Sequence, residues 1–305
     1  MKKKFKARKR RNKMFKIKFL LFLIMFNTSL FTTFKILLQS NIKFSNKKLV
    51  EFILKSNNPK NGIDILINNI KNRYSPVNLL NTNYYELTDK KKVDNKVDKS
   101  NKENLIYIYN THQKEEYKST SFIENQVNPT VMMASYIMQD VFNKNNYKTI
   151  VEERSISDIL DKNNWKYYRS YDASRIYLDD AKKTNKSLKY FIDVHRDSLS
   201  KNDTTIVINN KSYAKVIFLI GLENPNYQKN LEFTEKINNK INEKYPNLSK
   251  GIYKKGGKGV NGVYNQDNSE YTILIEIGGV DNNTTEVLNS TLAFTEVFME
   301  VINEG

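Results

Sequence analysis

Four short apolar runs punctuate the second two-thirds of the chain: Leu105–Tyr109, Tyr190–Val194, Lys215–Ile220 and Thr272–Ile277. Each is nearly continuous and rich in β-forming residues, the pattern of a strand covered on both faces in a parallel sheet. Between them the apolar positions recur at helical spacing. Pro129 at a first-turn position opens a helix through about Lys144, with Val131, Ala134, Ile137, Met138 and Val141 on one face. A second helix is predicted from about Trp165 to Lys183. A third covers Gln228–Lys244, with Pro246 just beyond its end. The last starts after Asn283, which with Glu286 resembles a capping box, and buries Val287, Leu288, Leu292, Phe298 and Val301. Strands alternating with helices predict an α/β domain over residues 104–305, built on a mainly parallel twisted sheet flanked by helices.

The pattern upstream is different. Residues 19–34 (FLLFLIMFNTSLFTTF) carry no charge, and extension through Leu38 gives enough length for a membrane-spanning segment if Lys35 reaches the interface. No small-x-small cleavage site follows, which favours an uncleaved anchor over residues 19–38. Residues 39–103 are rich in Lys, Asn and Ile, and Thr88–Asn104 is almost wholly polar. That stretch cannot bury enough apolar surface to fold, so 39–103 reads as a stalk or linker between membrane and domain.

Charge refines this layout. The 305 residues include 50 Lys and Arg against 33 Asp and Glu, a net charge of +17. Such a balance first suggests nucleic acid. Eleven of those cations lie in residues 1–18, however, with no acidic residue among them. A basic tail ahead of an apolar span is an orientation signal: it keeps residues 1–18 cytoplasmic and places everything after about residue 40 outside. The remaining surplus of six is spread out and accompanies no nucleic-acid motif. The expected location is therefore the cell membrane, single-pass, with the domain extracytoplasmic and no nucleic-acid partner.

The chain has no Cys, which excludes disulfides, Cys-type zinc fingers, iron–sulfur clusters and thiol nucleophiles, and it has only two His. His112 lies just after the first strand, followed at a spacing of three by Glu115. His195 ends the second strand run, and Glu276 lies near the end of the last. Ligands bind beyond the carboxyl ends of strands in open α/β sheets, so parallel strands would bring all of these to one rim. Two neutral imidazoles and a carboxylate make a His₂Glu set suited to Zn²⁺ with a position open for water. Glu276 could then take a proton from water and return it to a leaving nitrogen. A carboxylate inside an apolar strand needs a charge, a metal or a strong hydrogen bond to be stable there. A loop or packing role for a single His, and a chance origin for His-x-x-Glu, are the plain alternatives.

These motifs resemble the stage II sporulation protein P family, membrane-anchored zinc-dependent N-acetylmuramoyl-L-alanine amidases and peptidoglycan endopeptidases. The resemblance covers about residues 104–304. It rests on Tyr109–Tyr117, the Asp-Val-His-Arg-Asp segment Asp193–Asp197, then Gly221, Asn224, Pro225 and Asn230, the Tyr-Asn-Gln-Asp segment Tyr264–Asp267, and Ile275–Gly279 with Asp281, Asn282 and Glu286. Two positions depart: Asn110 stands where the family has a His, and Glu116 where it has a Ser. The resemblance implies Zn²⁺ held by His112, Glu115 and His195, with Glu276 as general base and then acid. Arg196 would bind a peptide carboxylate or the oxyanion, or else pair structurally with Asp193 or Asp197. It further implies hydrolysis of the amide between N-acetylmuramic acid and the first L-Ala of the stem peptide. Stem-peptide cross-links would be a second target, and a lytic transglycosylase and a multi-span membrane protein of the engulfment machinery would be partners. Asn110 leaves open a non-catalytic, peptidoglycan-binding relative. Five of the ten Gly fall in Gly251–Asp267, read as a flap or plain loop. Tyr264, Asn265 and Gln266 are expected to hydrogen-bond glycan or peptide.

Overall fold

A computed structural model describes residues 45–47, 50, 103–117 and 129–304. Among the described residues no helix is long and apolar enough to cross a membrane, and the predicted anchor lies outside them.

The four apolar runs become the interior strands of a six-stranded sheet: β1 (Ile106–Tyr109), β3 (Tyr190–Asp197), β6 (Val216–Gly221) and β8 (Thr272–Gly279). Two strands had no clear apolar signature and were not predicted, β2 (Thr149–Val151) and β7 (Ser249–Lys255). They form the two edges of the order β2-β1-β3-β8-β6-β7. An edge strand needs less apolar surface, and the lysines of β7 suit an exposed edge. Residues 251–255, expected to begin the glycine-rich loop, are therefore strand. Pairing is parallel throughout except between β6 and β8, which run antiparallel. A separate hairpin, β4 (Thr205–Ile208) with β5 (Lys211–Ala214), packs beside it.

Helices cover the sheet unequally. α1 (Met132–Lys144), α5 (Tyr227–Lys244) and α6 (Thr284–Glu304) share one core with Ile106, Ile108, Ile192, Val194, Phe218, Ile273 and Ile275. On the opposite face, α3 (Ser170–Thr184) packs Leu178 and Ala181 on Tyr107, Tyr109 and Phe191. The short α2 (Ile156–Lys162) supports α3, and the four-residue α4 (Lys201–Thr204) leads into the hairpin. Over β8, β6 and β7 no such helix lies on this second face among the described residues, and Ile217, Leu219 and Leu274 line a cleft there.

Local chemistry sets the helix ends. Pro129 precedes α1 rather than opening it, because its carbonyl accepts from Tyr117 N–H and its neighbour Thr130 bridges Glu116. The predicted second helix divides at a 3₁₀ turn, Tyr167–Arg169, before α3. The capping box at α6 is present in full. Glu286 N–H donates to Asn283 Oδ1 at 2.9 Å, and Asn283 N–H donates to Glu286 Oε2 at 3.0 Å.

Part of the segment read as stalk belongs to the folded body. Val50 is buried in the main core, Asn46 exchanges two hydrogen bonds with Thr130, and Lys47 pairs with Glu153. Asn283→Ala removes one half of the capping box and should cost about 1 kcal/mol. The urea midpoint is then expected to fall with an unchanged m-value; no shift would mean that the cap carries no stability.

Candidate metal centre

Parallel pairing of β1, β3 and β8 carries their carboxyl ends to one rim. His112 follows β1 in a turn closed by Glu115 N–H donating to His112 carbonyl at 3.0 Å. His195 lies near the end of β3, and in the β3–β8 register it stands opposite Glu276. Side chains alternate along a strand, so Ile273, Ile275 and Ile277 enter the core while Leu274 and Glu276 face the cleft. That alternation is how a carboxylate fits into the apolar run.

The structure brings His112, Glu115 and His195 together. One ligand-capable atom from each lies within 4.8 Å of the others. Glu115 sits between the imidazoles, its Oε1 3.4 Å from His112 Nδ1 and its Oε2 3.5 Å from His195 Nδ1. Arg196 N–H donates to Glu115 Oε2 at 3.0 Å and fixes the carboxylate. Burial opposes the charge on Glu115, but the two facing imidazoles and this N–H outweigh it and hold the carboxyl well below the usual range. Burial likewise depresses the His195 imidazole, but Asp193 and Glu115 on either side overcome it and push its pKa up to about 10. The Glu276 carboxyl moves the other way, raised chiefly by burial, with His195 lowering it and Asp197 raising it.

A divalent cation fits this donor set. Two imidazoles and an ionised carboxylate converge, His195 turning Nδ1 toward Glu115 and its buried Nε2 away from it. Asp193 lies behind that nitrogen, its Oδ1 3.1 Å away. A carboxylate behind an imidazole is the usual way to orient a metal-binding His.

Asp193 belongs to a buried network that motif reading had not assembled. Thr111 donates to it twice, from N–H at 2.9 Å and from Oγ1 at 2.7 Å. Thr111 Oγ1 also meets Ser174 Oγ, which accepts from Asn265 Nδ2 at 3.0 Å. The chain Asn265–Ser174–Thr111–Asp193–His195 thus ties four separate segments to one imidazole. Asn265 was expected to contact ligand, but its amide nitrogen is spent here and on Tyr171 carbonyl. Gln266 is also structural, bonded to Leu219 carbonyl and Gly221 N–H. Of that trio only Tyr264 lines the cleft.

Asn110 is not at the metal site. It is buried, donates to Val194 carbonyl at 2.8 Å and accepts from Ser135 Oγ at 2.9 Å, pinning β1 to β3 and α1. Arg196 lines the cleft. Its guanidinium donates to the carbonyls of Glu116 and Asp197 rather than to the Asp193 carboxylate. The glycine-rich loop is tethered, since Glu223 accepts from Gly257 N–H and donates its own N–H to Gly262 carbonyl. Gly278 has φ +67, and a Cβ there would lie 2.5 Å from Asn282 Oδ1, so the sharp turn after Glu276 requires glycine.

A family model for stage II sporulation protein P matches residues 34–299. The chain belongs to this family. It is 37% identical over 205 residues to stage II sporulation protein P of Bacillus subtilis, a match covering 65% of this chain and 51% of that protein. The chain thus spans about half the length of that relative. Among solved structures it is similar to the CwlD amidase of Clostridioides difficile, determined in complex with the GerS lipoprotein. There the TM-score is 0.46 and the identity 12%, over 66% of this chain and 100% of that one. Cwp6 of Clostridium difficile gives a TM-score of 0.36 at 12% identity, over 65% of this chain and 29% of that one.

Two outcomes are expected for this member of the family. A ligating imidazole must be neutral, whereas Asp193 and Glu115 on either side favour the charged form of the metal-free His195. Zinc loading should therefore release about one proton, read by calorimetry in buffers of different ionisation enthalpy. Asp193→Asn should weaken zinc affinity by about 10- to 100-fold in chelator competition, and an unchanged affinity would remove Asp193 from the site.

Proposed function

We propose that this chain is a zinc-dependent peptidoglycan amidase of sporulation, cleaving the amide between N-acetylmuramic acid and the L-Ala of the stem peptide. Stem-peptide cross-links are a second target in this reading. The observation that carries it is the convergence of His112, Glu115 and His195, with Glu276 facing the same cleft of about 1070 Å³. Membership of a sporulation family supplies the biological setting.

In this mechanism His112, Glu115 and His195 hold the ion. When bound, zinc supplies Lewis acidity toward the amide carbonyl and makes water easier to deprotonate. The Glu276 carboxylate takes the proton of the attacking water and passes it to the departing amide nitrogen. Burial raises its pKa, which favours the half of that task in which it carries the proton. Arg196, anchored by two main-chain carbonyls, presents positive charge at the rim for a stem-peptide carboxylate or the developing oxyanion. The scissile bond is recognised outside the cytoplasm, with the domain tethered by the segment 19–38 and working beside other engulfment proteins, a lytic transglycosylase and a multi-span membrane protein.

Glu276→Gln should retain zinc by elemental analysis and lose about 10²- to 10⁴-fold of its release of stem peptide from cell walls. His195→Ala should lose both zinc and hydrolysis. Full activity in Glu276→Gln refutes the base assignment. A wild-type chain that takes up no metal at neutral pH and releases no peptide is instead a binding relative.

A further inference from the structure

Among the described residues eight large apolar side chains are exposed, and five of them line the one cleft: Tyr167, Tyr168, Leu199, Tyr253 and Val260. Scattered exposed apolar residues need no explanation, but their concentration at one opening marks a ligand surface. They also divide between two walls. Tyr167 and Tyr168 belong to the 3₁₀ turn before α3, where the Tyr167 ring stacks on His112 with centroids 5.0 Å apart. Tyr253 lies on β7, and Val260 on the glycine-rich loop that follows it. His112 follows β1, and β7 is four strand positions away, about 19 Å across the sheet at ~4.8 Å per step. His195 and Glu276, on β3 and β8, lie between the walls.

We infer that these walls are two sugar-binding platforms, on which a glycan strand lies across the cleft with its cleavage point in the middle. The inference rests on the proposed amidase reading, which fixes what enters from each side. A stem peptide starts at the scissile amide and continues from it in one direction only. The glycan that bears it continues in both directions, so when the muramoyl–alanine amide is the bond cut, only the glycan reaches both walls. Tyr168 is 77% exposed and Tyr253 46% exposed, which makes shallow surfaces rather than side-chain pockets. Such rings suit the flat apolar faces of pyranoses, while their hydroxyls meet the sugar edges. Both platforms are continuous with the catalytic cleft. Lys250 and Lys255, beside Tyr253 in the cleft lining, complement the carboxylates of the peptide branch.

The test is titration of the full chain with peptide-free oligosaccharides of alternating N-acetylglucosamine and N-acetylmuramic acid, of two, four and six rings. Affinity should tighten with length. Tyr168→Ala and Tyr253→Ala should each reduce that gain by about two- to tenfold, the value of one aromatic contact. Val207→Ala, at an exposed apolar residue outside the cleft, should retain the gain in full. Affinity that does not change with length overturns the inference, as does a gain that survives in both tyrosine variants. So does tyrosine-dependent binding of free stem peptide in place of glycan. Hydrolysis of cell walls, measured in parallel, reports on the amidase reading separately: inactive protein with intact length dependence sinks that reading and leaves the platforms standing.

Discussion

The parallel register of β3 on β8 is the constraint on which the site depends. It sets His195 opposite Glu276 and turns both toward the cleft. The register is enforced from the other face, where Ile192, Val194, Ile273 and Ile275 are fully buried in the helix-covered core. Because side chains alternate with a period of two, a slip of one residue would drive Asp193, His195 and Glu276 into that core. The cost of burying those charges locks the pairing as firmly as the apolar contacts do. Core and site are therefore two sides of the same strands, and the chemistry inherits its precision from the packing behind it.

Much of this was legible in the sequence for a physical reason. Strands whose residues are nearly all buried must be almost continuous apolar runs, so β1, β3, β6 and β8 announced themselves. The edge strand β7, reading SKGIYKK, buries little and could not be told from a loop. The three residues of β2 are too few to carry a pattern. At the site, scarcity helped: with only two His in the chain, both fell on strand ends, and the structure brings them together with Glu115. The supporting polar groups were less visible. Asn265 and Thr111 lie far apart in sequence, and Ser174 has no motif at all. Only the packing of α3 over β1 reveals that they converge on Asp193.

That network explains why so many polar residues of the matched motifs face inward rather than toward a ligand. Asn110, Asn230, Asn265, Gln266 and Asn282 each satisfy main-chain or side-chain groups from another segment. A buried polar group must be paired, and a pair fixes a relative position more strictly than an apolar contact does. Loops that end parallel strands have no ladder of their own to hold them. Amide side chains reaching between them supply the missing bonds, so Asn265 and Gln266, read as ligand contacts, act instead as struts.

The two carboxylates of the cleft show how environment separates roles under the proposed function. Both are largely withdrawn from water, and burial pushes both toward the neutral form. Glu115 faces two imidazoles and accepts a main-chain N–H, so its charged form prevails and it remains an acceptor for a cation. No comparable donor faces Glu276 among the described residues. The favourable field of His195 is set against that of Asp197, and burial decides, leaving a carboxyl that holds a proton more readily than Glu115 does. Exchanging their surroundings would exchange their capacities. The assignment of ligand to Glu115 and of proton carrier to Glu276 therefore follows from which one the strand and turn geometry places between the imidazoles.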